Sequence, residues 1–204
     1  MSDGTTEVLA LASAVAWASG INLYAAVLAL GAMHHLGIVT LPETMQLVAS
    51  LPVLAVAGAL FAAQFVADKI PGVDTGWDAI HTFIRVPAGA FLAAATLGDA
   101  DPALKLAAAL AGGTLALGTH ATKASGRLFV NSHLPVVGTA GASLAEDAAV
   151  IGGLWAAVAH PGAFLAAIAV LVVVMVLVLW LLARFLRFVF ARIAGLFRPR
   201  AAPS

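Results

Sequence analysis

Between Ala148 and Ala183 the chain runs for 36 residues without a charged side chain. As a single helix it would rise about 54 Å, whereas the hydrocarbon core of a bilayer is about 30 Å thick. One straight crossing is therefore excluded, and His160-Pro161-Gly162 is the predicted break, because Pro and Gly together punctuate helices. Beyond it, 163–183 is an apolar stretch with Trp180 near its end, followed by Arg184, Arg187, Arg192, Arg198 and Arg200. Segments like this belong to multi-span membrane proteins. The composition agrees, with 62% hydrophobic and only 10% charged residues, against about 25% charged in a soluble domain.

The same reading places further spans. Val8–Gly31 is uncharged for 24 residues and Leu47–Ala67 for 21, each enough for a crossing that takes about 20 helical residues. Leu106–Thr122 offers 17, while Val86–Gly98 and Ala148–His160 offer 13 each. The last two reach crossing length only if 79–85 and 140–147 are included, which draws His81, Arg85, Glu146 and Asp147 to the membrane. The expected fold is an all-α membrane protein, a compact bundle of about six transmembrane helices, two of them short or re-entrant. Residues 1–190 form one integral membrane domain and 191–204 a basic tail. The N-terminus lacks a basic n-region, so the first apolar run reads as a retained span rather than a cleaved signal peptide. Half of the basic residues follow span six, which predicts a cytoplasmic C-terminus. Six spans would place the N-terminus there too, with 68–78 and 123–141 inside and 32–46, 99–103 and 160–162 outside.

Ten basic and ten acidic residues cancel, leaving no overall basic surface for nucleic acid. No cysteine is present, so disulfides, thiolate nucleophiles and Cys-ligated metals are ruled out. The sequence carries no HExxH, GxSxG, P-loop or GxGxxG pattern. We expect no catalytic reaction, no cofactor and no resident metal. His34-His35 after span one has no carboxylate nearer than Glu43 and reads as an interfacial pair rather than a metal site.

Apart from the five tail arginines, 15 charged residues remain, and nine fall in two stretches. The first, 68–85, holds Asp68, Lys69, Asp74, Asp78 and Arg85, with His81 among them. Pro71-Gly72 would end span two, Asp74 or Thr75 would cap the next helix, and Trp77, His81 and Arg85 would stack at i, i+4 and i+8, with Asp78 beside them. The second, 120–147, holds Lys123, Arg127, Glu146 and Asp147, with Asn131 and His133 between. His120, Lys123 and Arg127 would form one basic stripe. In the six-span topology both stretches lie on the cytoplasmic side, so they could meet. One reading is interfacial ion pairs and caps; the other is a polar cavity, since ionisable groups at membrane depth mark functional sites and short spans point to transport sites. Asp74, Asp78, His81, Glu146 and Asp147 could hold a divalent cation by type, but Lys69, Arg85, Lys123 and Arg127 oppose it and favour an anionic or zwitterionic substrate or a proton relay. Asn22, near the middle of span one, must find a partner, either as packing glue or, with Tyr24, lining a path. Gly112-Gly113 and Gly152-Gly153 allow close helix contact.

The strings GINLYAAVLALG (20–31), FVADKIPGVDTGWDAIHTFIRVPAGA (65–90), GTHATKASGRLFVNSHLP (118–135) and SLAEDAAV (143–150) resemble a family of small bacterial multi-pass membrane proteins known only as a domain of unknown function. The resemblance spans nearly the whole chain and implies a bacterial inner-membrane protein, with no activity to carry over. Its matching positions are Asn22, Asp68, Lys69, Asp74, Asp78, His81, Arg85, Lys123, Arg127, Glu146 and Asp147. The functional expectation is a small transporter or channel with a mixed acidic and basic site, proton-coupled through Asp78, His81, Glu146 or Asp147. The alternatives are a phospholipid-headgroup site for flipping or scrambling, with Lys69, Arg85, Lys123 and Arg127 on the phosphate, and a non-transporting scaffold. Expected partners are membrane lipids and a small ion, solute or headgroup; a homo-oligomer is compatible with the chain.

Overall fold

A computed structural model describes the backbone at 2–68, 70, 73–133 and 137–196, and the side chains there except at 2, 3, 74, 75, 78, 128–133, 137, 139 and 191–196. The described chain is helical throughout: α1 (Ser2–His35), a short α2 (Glu43–Gln46) running into a 3-10 turn at Leu47–Ala49, α3 (Leu51–Ala67), α4 (Val73–Ala95), α5 (Pro102–His133), α6 (Val137–Ala159) and α7 (Pro161–Leu196). The predicted break is present, since His160 alone separates α6 from α7 and Pro161, which lacks an N–H, opens α7 without losing a helical bond. Four helices are long and apolar enough to cross a membrane, or five if α2, its 3-10 turn and α3, bent by 53°, count as one. The apolar part of α4, Ala79–Ala95, is the short one.

Six expected spans thus find six helical counterparts, but the first does not behave as a crossing. Inside α1, Asn22 has φ −148° and ψ 96°, outside the helical region. Glu7, Val8 and Leu11, before this break, line one cavity of about 390 Å³ together with Ile38, Val39 and Pro42, after it. A straight α1 would hold Glu7 about 39 Å from Met33, whose carbonyl accepts from the Val39 N–H. α1 is therefore folded back at Asn22 into two legs, 2–21 and 23–35. Neighbouring contacts trace both. Along the first leg, Leu9 shares a groove with Leu97 and Leu104, and Gly20 lies against Ala116. Along the second, Tyr24 faces Leu60 and Gly31 packs on Leu54, so this leg runs back beside α3. Gly37, at φ 70°, turns the chain out of the second leg, and the Ile38 N–H donates to the Met33 carbonyl at 2.8 Å.

This hairpin is the core of the bundle. Its apolar stretch is 89% buried, against 11% for α7, and α3 to α7 surround it. Such burial requires small side chains. A Cβ on Gly20 would meet the Ala116 carbonyl, one on Gly89 would meet Ser19 and Ala116, one on Gly112 would meet Ala93, and one on Gly153 would meet the Trp17 ring. The expected close contact at Gly112 and Gly153 is present, while Gly152 faces open space. α7 presents Val170, Val173, Val176 and Phe190 outward, an apolar face suited to lipid.

The fold-back corrects the expected placement of the termini. Glu7 shares its cavity with Ala157 and Val158, at the end of α6 where α7 begins, and α7 then runs 36 residues away. The described ends of the chain lie at opposite ends of the bundle, not on one side, because a hairpin returns the chain to the side it came from. α7 runs unbroken from Pro161 to Leu196. Pro71 and Gly72 lie outside the described residues; α3 ends at Ala67 and α4 begins at Val73, so Asp74 and Thr75 fall in its first turn, their side chains outside the description.

Two measurements check this architecture. Spin labels at positions 7 and 39 should give a distance about half or less of the about 39 Å that a straight α1 would impose. Gly20→Ala should destabilise the protein by about 1–3 kcal/mol through overpacking, whereas Gly152→Ala should be neutral or slightly stabilising, both read from unfolding in nanodiscs.

Candidate functional site

The break at Asn22 leaves main-chain groups without their helical partners in the middle of an apolar bundle, where such groups must be satisfied internally. In an unbroken helix the Ala25 N–H would donate to the Ile21 carbonyl. Here it donates instead to Asn22 Oδ1 at 3.1 Å, the bond by which a cap residue serves the third position of a new helix. The freed Ile21 carbonyl accepts from Lys123 Nζ at 2.8 Å. The other end of the Asn22 amide donates to Asp147 Oδ1 at 2.7 Å. A cation thus meets the carbonyl end of the first leg and a carboxylate meets the amide end of the second, the pairing that the helix dipole favours.

From these contacts the network spreads across four further helices. Glu146, one residue before Asp147 on α6, accepts from Arg127 through both oxygens, at 3.1 Å from Nε and 2.6 Å from Nη2, the paired geometry that a guanidinium fork makes with a carboxylate. Lys123 Nζ stands 3.2 Å from the same Glu146 Oε2. Arg127 Nη2 also reaches Asp68 Oδ2 at 3.3 Å, and Asp68, at the C-terminal cap of α3, is further approached by Gln64 Nε2 at 3.4 Å and Ser143 Oγ at 3.5 Å. These are long contacts, and Asp68 Oδ1 is buried without a hydrogen-bond partner among the described residues.

Arg85 forms the second centre. It is wholly buried, and its Nη2 donates to Gln64 Oε1 at 3.1 Å while Nη1 lies 3.1 Å from His120 Nδ1. A guanidinium only donates, so His120 Nδ1 is the acceptor and the ring's proton sits on Nε2, which donates to Thr82 Oγ1 at 2.7 Å. His81, one helical turn before Arg85, stacks on Trp77 with ring centroids 4.3 Å apart, and its Nδ1–H donates to the Trp77 carbonyl at 2.8 Å. Tyr24, just past the break, meets His81 edge-on at 5.8 Å.

The two charged stretches therefore converge, as expected, and they do so around the hairpin tip. Of the predicted residues, Asn22, Asp68, Arg85, His120, Lys123, Arg127, Glu146 and Asp147 belong to the assembly, with His81 and Tyr24 against it. Lys69 lies outside the described residues, as do the side chains of Asp74, Asp78 and Asn131. The basic stripe on α5 is present, and its members divide among partners: His120 accepts from Arg85 and donates to Thr82, Lys123 meets the Ile21 carbonyl and Glu146, and Arg127 meets Glu146 and Asp68. Among the described residues, no group of three or more His, Asp or Glu side chains is arranged to hold a metal ion. His35 Nε2 and His34 Nδ1 lie against backbone carbonyls, Ala49 at 2.8 Å and Val39 at 3.4 Å.

Sequence reasoning missed Gln64, Thr82 and Ser143. Gln64 carried a signal, as a lone amide in an apolar run one helical turn before Asp68. Ser143 stands three residues before Glu146, on the same face. Beside the network, Trp17, Ile21, Thr119, Thr122, Lys123, Glu146 and Met175 line a groove of about 340 Å³ that is apolar except at its Lys123 and Glu146 end.

One family model matches residues 9–182, that of the domain of unknown function DUF4126. The chain belongs to this family. The match takes in both legs of the α1 hairpin and every residue of the network, so the site lies within the family domain. No curated protein and no solved structure matches the chain.

Removing one partner of a buried ion pair strands the other, a loss of about 3–5 kcal/mol. Glu146→Ala leaves Lys123 and Arg127 facing each other and should lose that much in nanodisc unfolding. Arg184→Ala on exposed α7, whose guanidinium lies 5.6 Å from the Trp180 ring, should change stability by no more than about 1 kcal/mol.

Proposed function

We propose that this DUF4126 protein is a small multi-pass transporter or channel, rather than an enzyme, working on a small ion or solute in the bacterial inner membrane. The observation that carries the reading is the position of Asn22. It is the tip of a folded-back helix that stops inside the bundle, and ionisable side chains from α3, α4, α5 and α6 are gathered around it. Irregular backbone at membrane depth persists where it is buried in protein or lines a cavity, and discontinuous helices of this kind build the binding sites of transporters. Ionisable residues in such a place are functional by default.

Charge supports an orientation. Lys123, Arg127 and the α7 arginines lie toward the end of the bundle away from Glu7, whereas Glu43, Asp99 and Asp101 lie toward its opposite end. The excess of Lys and Arg puts the former end in the cytoplasm. The C-terminus is then cytoplasmic, and the N-terminus, returned by the hairpin, is on the far side.

Within the site, Arg85, Lys123 and Arg127 balance Asp68, Glu146 and Asp147. Such a set exchanges partners without exposing net charge, which suits a gate that opens and closes around a proton or small ion. A second reading, handling of a lipid headgroup, is favoured by the groove beside Lys123 and Glu146, whose apolar walls suit an acyl chain and whose charged end suits a headgroup. Native mass spectrometry showing a phospholipid retained by the wild type and released by Lys123→Ala would favour it.

The transport reading is tested on proteoliposomes over a solid-supported membrane, with concentration jumps of a panel of inorganic ions, carboxylates, amines and amino acids. The wild type should translocate charge for at least one class, and Asn22→Ala and Asp147→Asn should lower that current at least about tenfold, the loss of roughly 1.4 kcal/mol or more at the site. Currents equal to those of empty liposomes across the panel would overturn the reading.

A further inference from the structure

At the break in α1 the Ile21 carbonyl and the Glu146 carboxylate share one cation, the Lys123 ammonium. The Ile21 carbonyl ends the first leg of α1, where the negative end of the helix dipole collects. Next to it stands the Glu146 carboxylate, with Asn22 and Asp147 joined beyond it. In discontinuous membrane helices, unwound carbonyls at the end of a half-helix are the groups that take a coupling cation. Here Lys123 Nζ takes them, at 2.8 Å from Ile21 O and 3.2 Å from Glu146 Oε2, with its side chain only 3% exposed.

The ion pair with Glu146 is one half of this arrangement and the main-chain contact is the other. Arg127 spans Glu146 and Asp68, so one guanidinium is shared between two carboxylates and Lys123 supplies the further positive charge. Of these two contacts the shorter, at 2.8 Å, is to the carbonyl of the residue just before the break in α1. A main-chain carbonyl at the end of a helical leg and a carboxylate beside it attract a cation together. A compact, strongly hydrated point charge on a flexible stem is also the side chain closest in character to an alkali ion.

We propose that Lys123 is a tethered substitute for a monovalent cation, held in a cage made by the Ile21 carbonyl and the Glu146 carboxylate. It follows that the wild-type protein uses no sodium or potassium at this position, and that removing the amine opens a site for those ions. The groove lined by Lys123, Glu146 and Thr122 gives an ion access to the vacated place. Naming the cage a coupling position rests on the transporter reading; its chemistry does not.

The test is the thermal unfolding of the purified full chain in nanodiscs, titrated with sodium or potassium chloride against N-methyl-D-glucamine chloride at equal ionic strength. The wild type should unfold at the same temperature in all three salts. Lys123→Ala should unfold earlier in the bulky cation, regain several degrees saturably in sodium or potassium, and lose that response when Glu146→Gln is added. Should Lys123→Ala fail to fold, Lys123→Gln is read in the same way, and the wild-type comparison stands by itself. Alkali-specific stabilisation of the wild type, or a lysine variant that responds no more than the wild type, overturns the proposal. The two readings fail separately: a sodium-driven current in the wild type overturns the cage while leaving transport standing, whereas a saturable response in Lys123→Ala without current in any liposome does the reverse.

Discussion

The polar contacts at the tip of the hairpin start from one requirement, that the main-chain groups beside the break in α1 find partners away from water. At Asn22 the chain leaves helical geometry, and the Ala25 amide and the Ile21 carbonyl lose each other. The Asn22 side chain takes the first and the Lys123 ammonium takes the second. A lysine placed there needs a carboxylate, supplied by Glu146; Glu146 also holds Arg127, and Arg127 reaches Asp68. The network is thus a chain of obligations that starts from two backbone atoms. Unsatisfied polar groups in an apolar surround are unfavourable by several kcal/mol each, which makes so many converging charges tolerable.

Packing imposes the complementary constraint. A hairpin wrapped by α3 to α7 can only be central if the helices around it approach closely; Gly20, Gly89 and Gly112 lie against neighbouring backbone, and Gly153 makes room for the Trp17 ring. Small residues at helix contacts are how membrane bundles gain dispersion and close approach where the hydrophobic effect between helices is weak. The polar tip and the glycine contacts are therefore coupled. Shifting α5 outward at Gly112 or Ala116 would carry His120, Lys123 and Arg127 away from their acceptors, since all lie on one helix.

Much of this was legible in the residues. The all-α class, the break at His160-Pro161, the short α4 and the meeting of 68–85 with 120–147 follow from the lengths of uncharged runs and from where charges interrupt them. Asn22 stood out because an amide in the middle of an apolar span needs a partner. Gln64 and Ser143 were harder to see, because a single amide or hydroxyl in an apolar helix reads equally well as a residue bonded to its own backbone. The return of α1 on itself is hard to read for a related reason: 24 uncharged residues from Val8 to Gly31 have the composition of a crossing whether the chain goes straight or turns back.

The sequence by itself determined the class of this protein and the elements it is built from, because helix formation in an apolar environment depends on local composition and on the few residues that interrupt it. It also determined which side chains would have to be gathered together, since charges within apolar segments have nowhere else to go. Only the tertiary structure decided that α1 is a hairpin, that Asn22 is its tip, and that Lys123 serves the carbonyl released there. A turn of one residue carries no composition of its own; whether Asn22 sits in a helix or ends one depends on Asp147 and Lys123, 125 and 101 positions further along the chain, being in place to receive it.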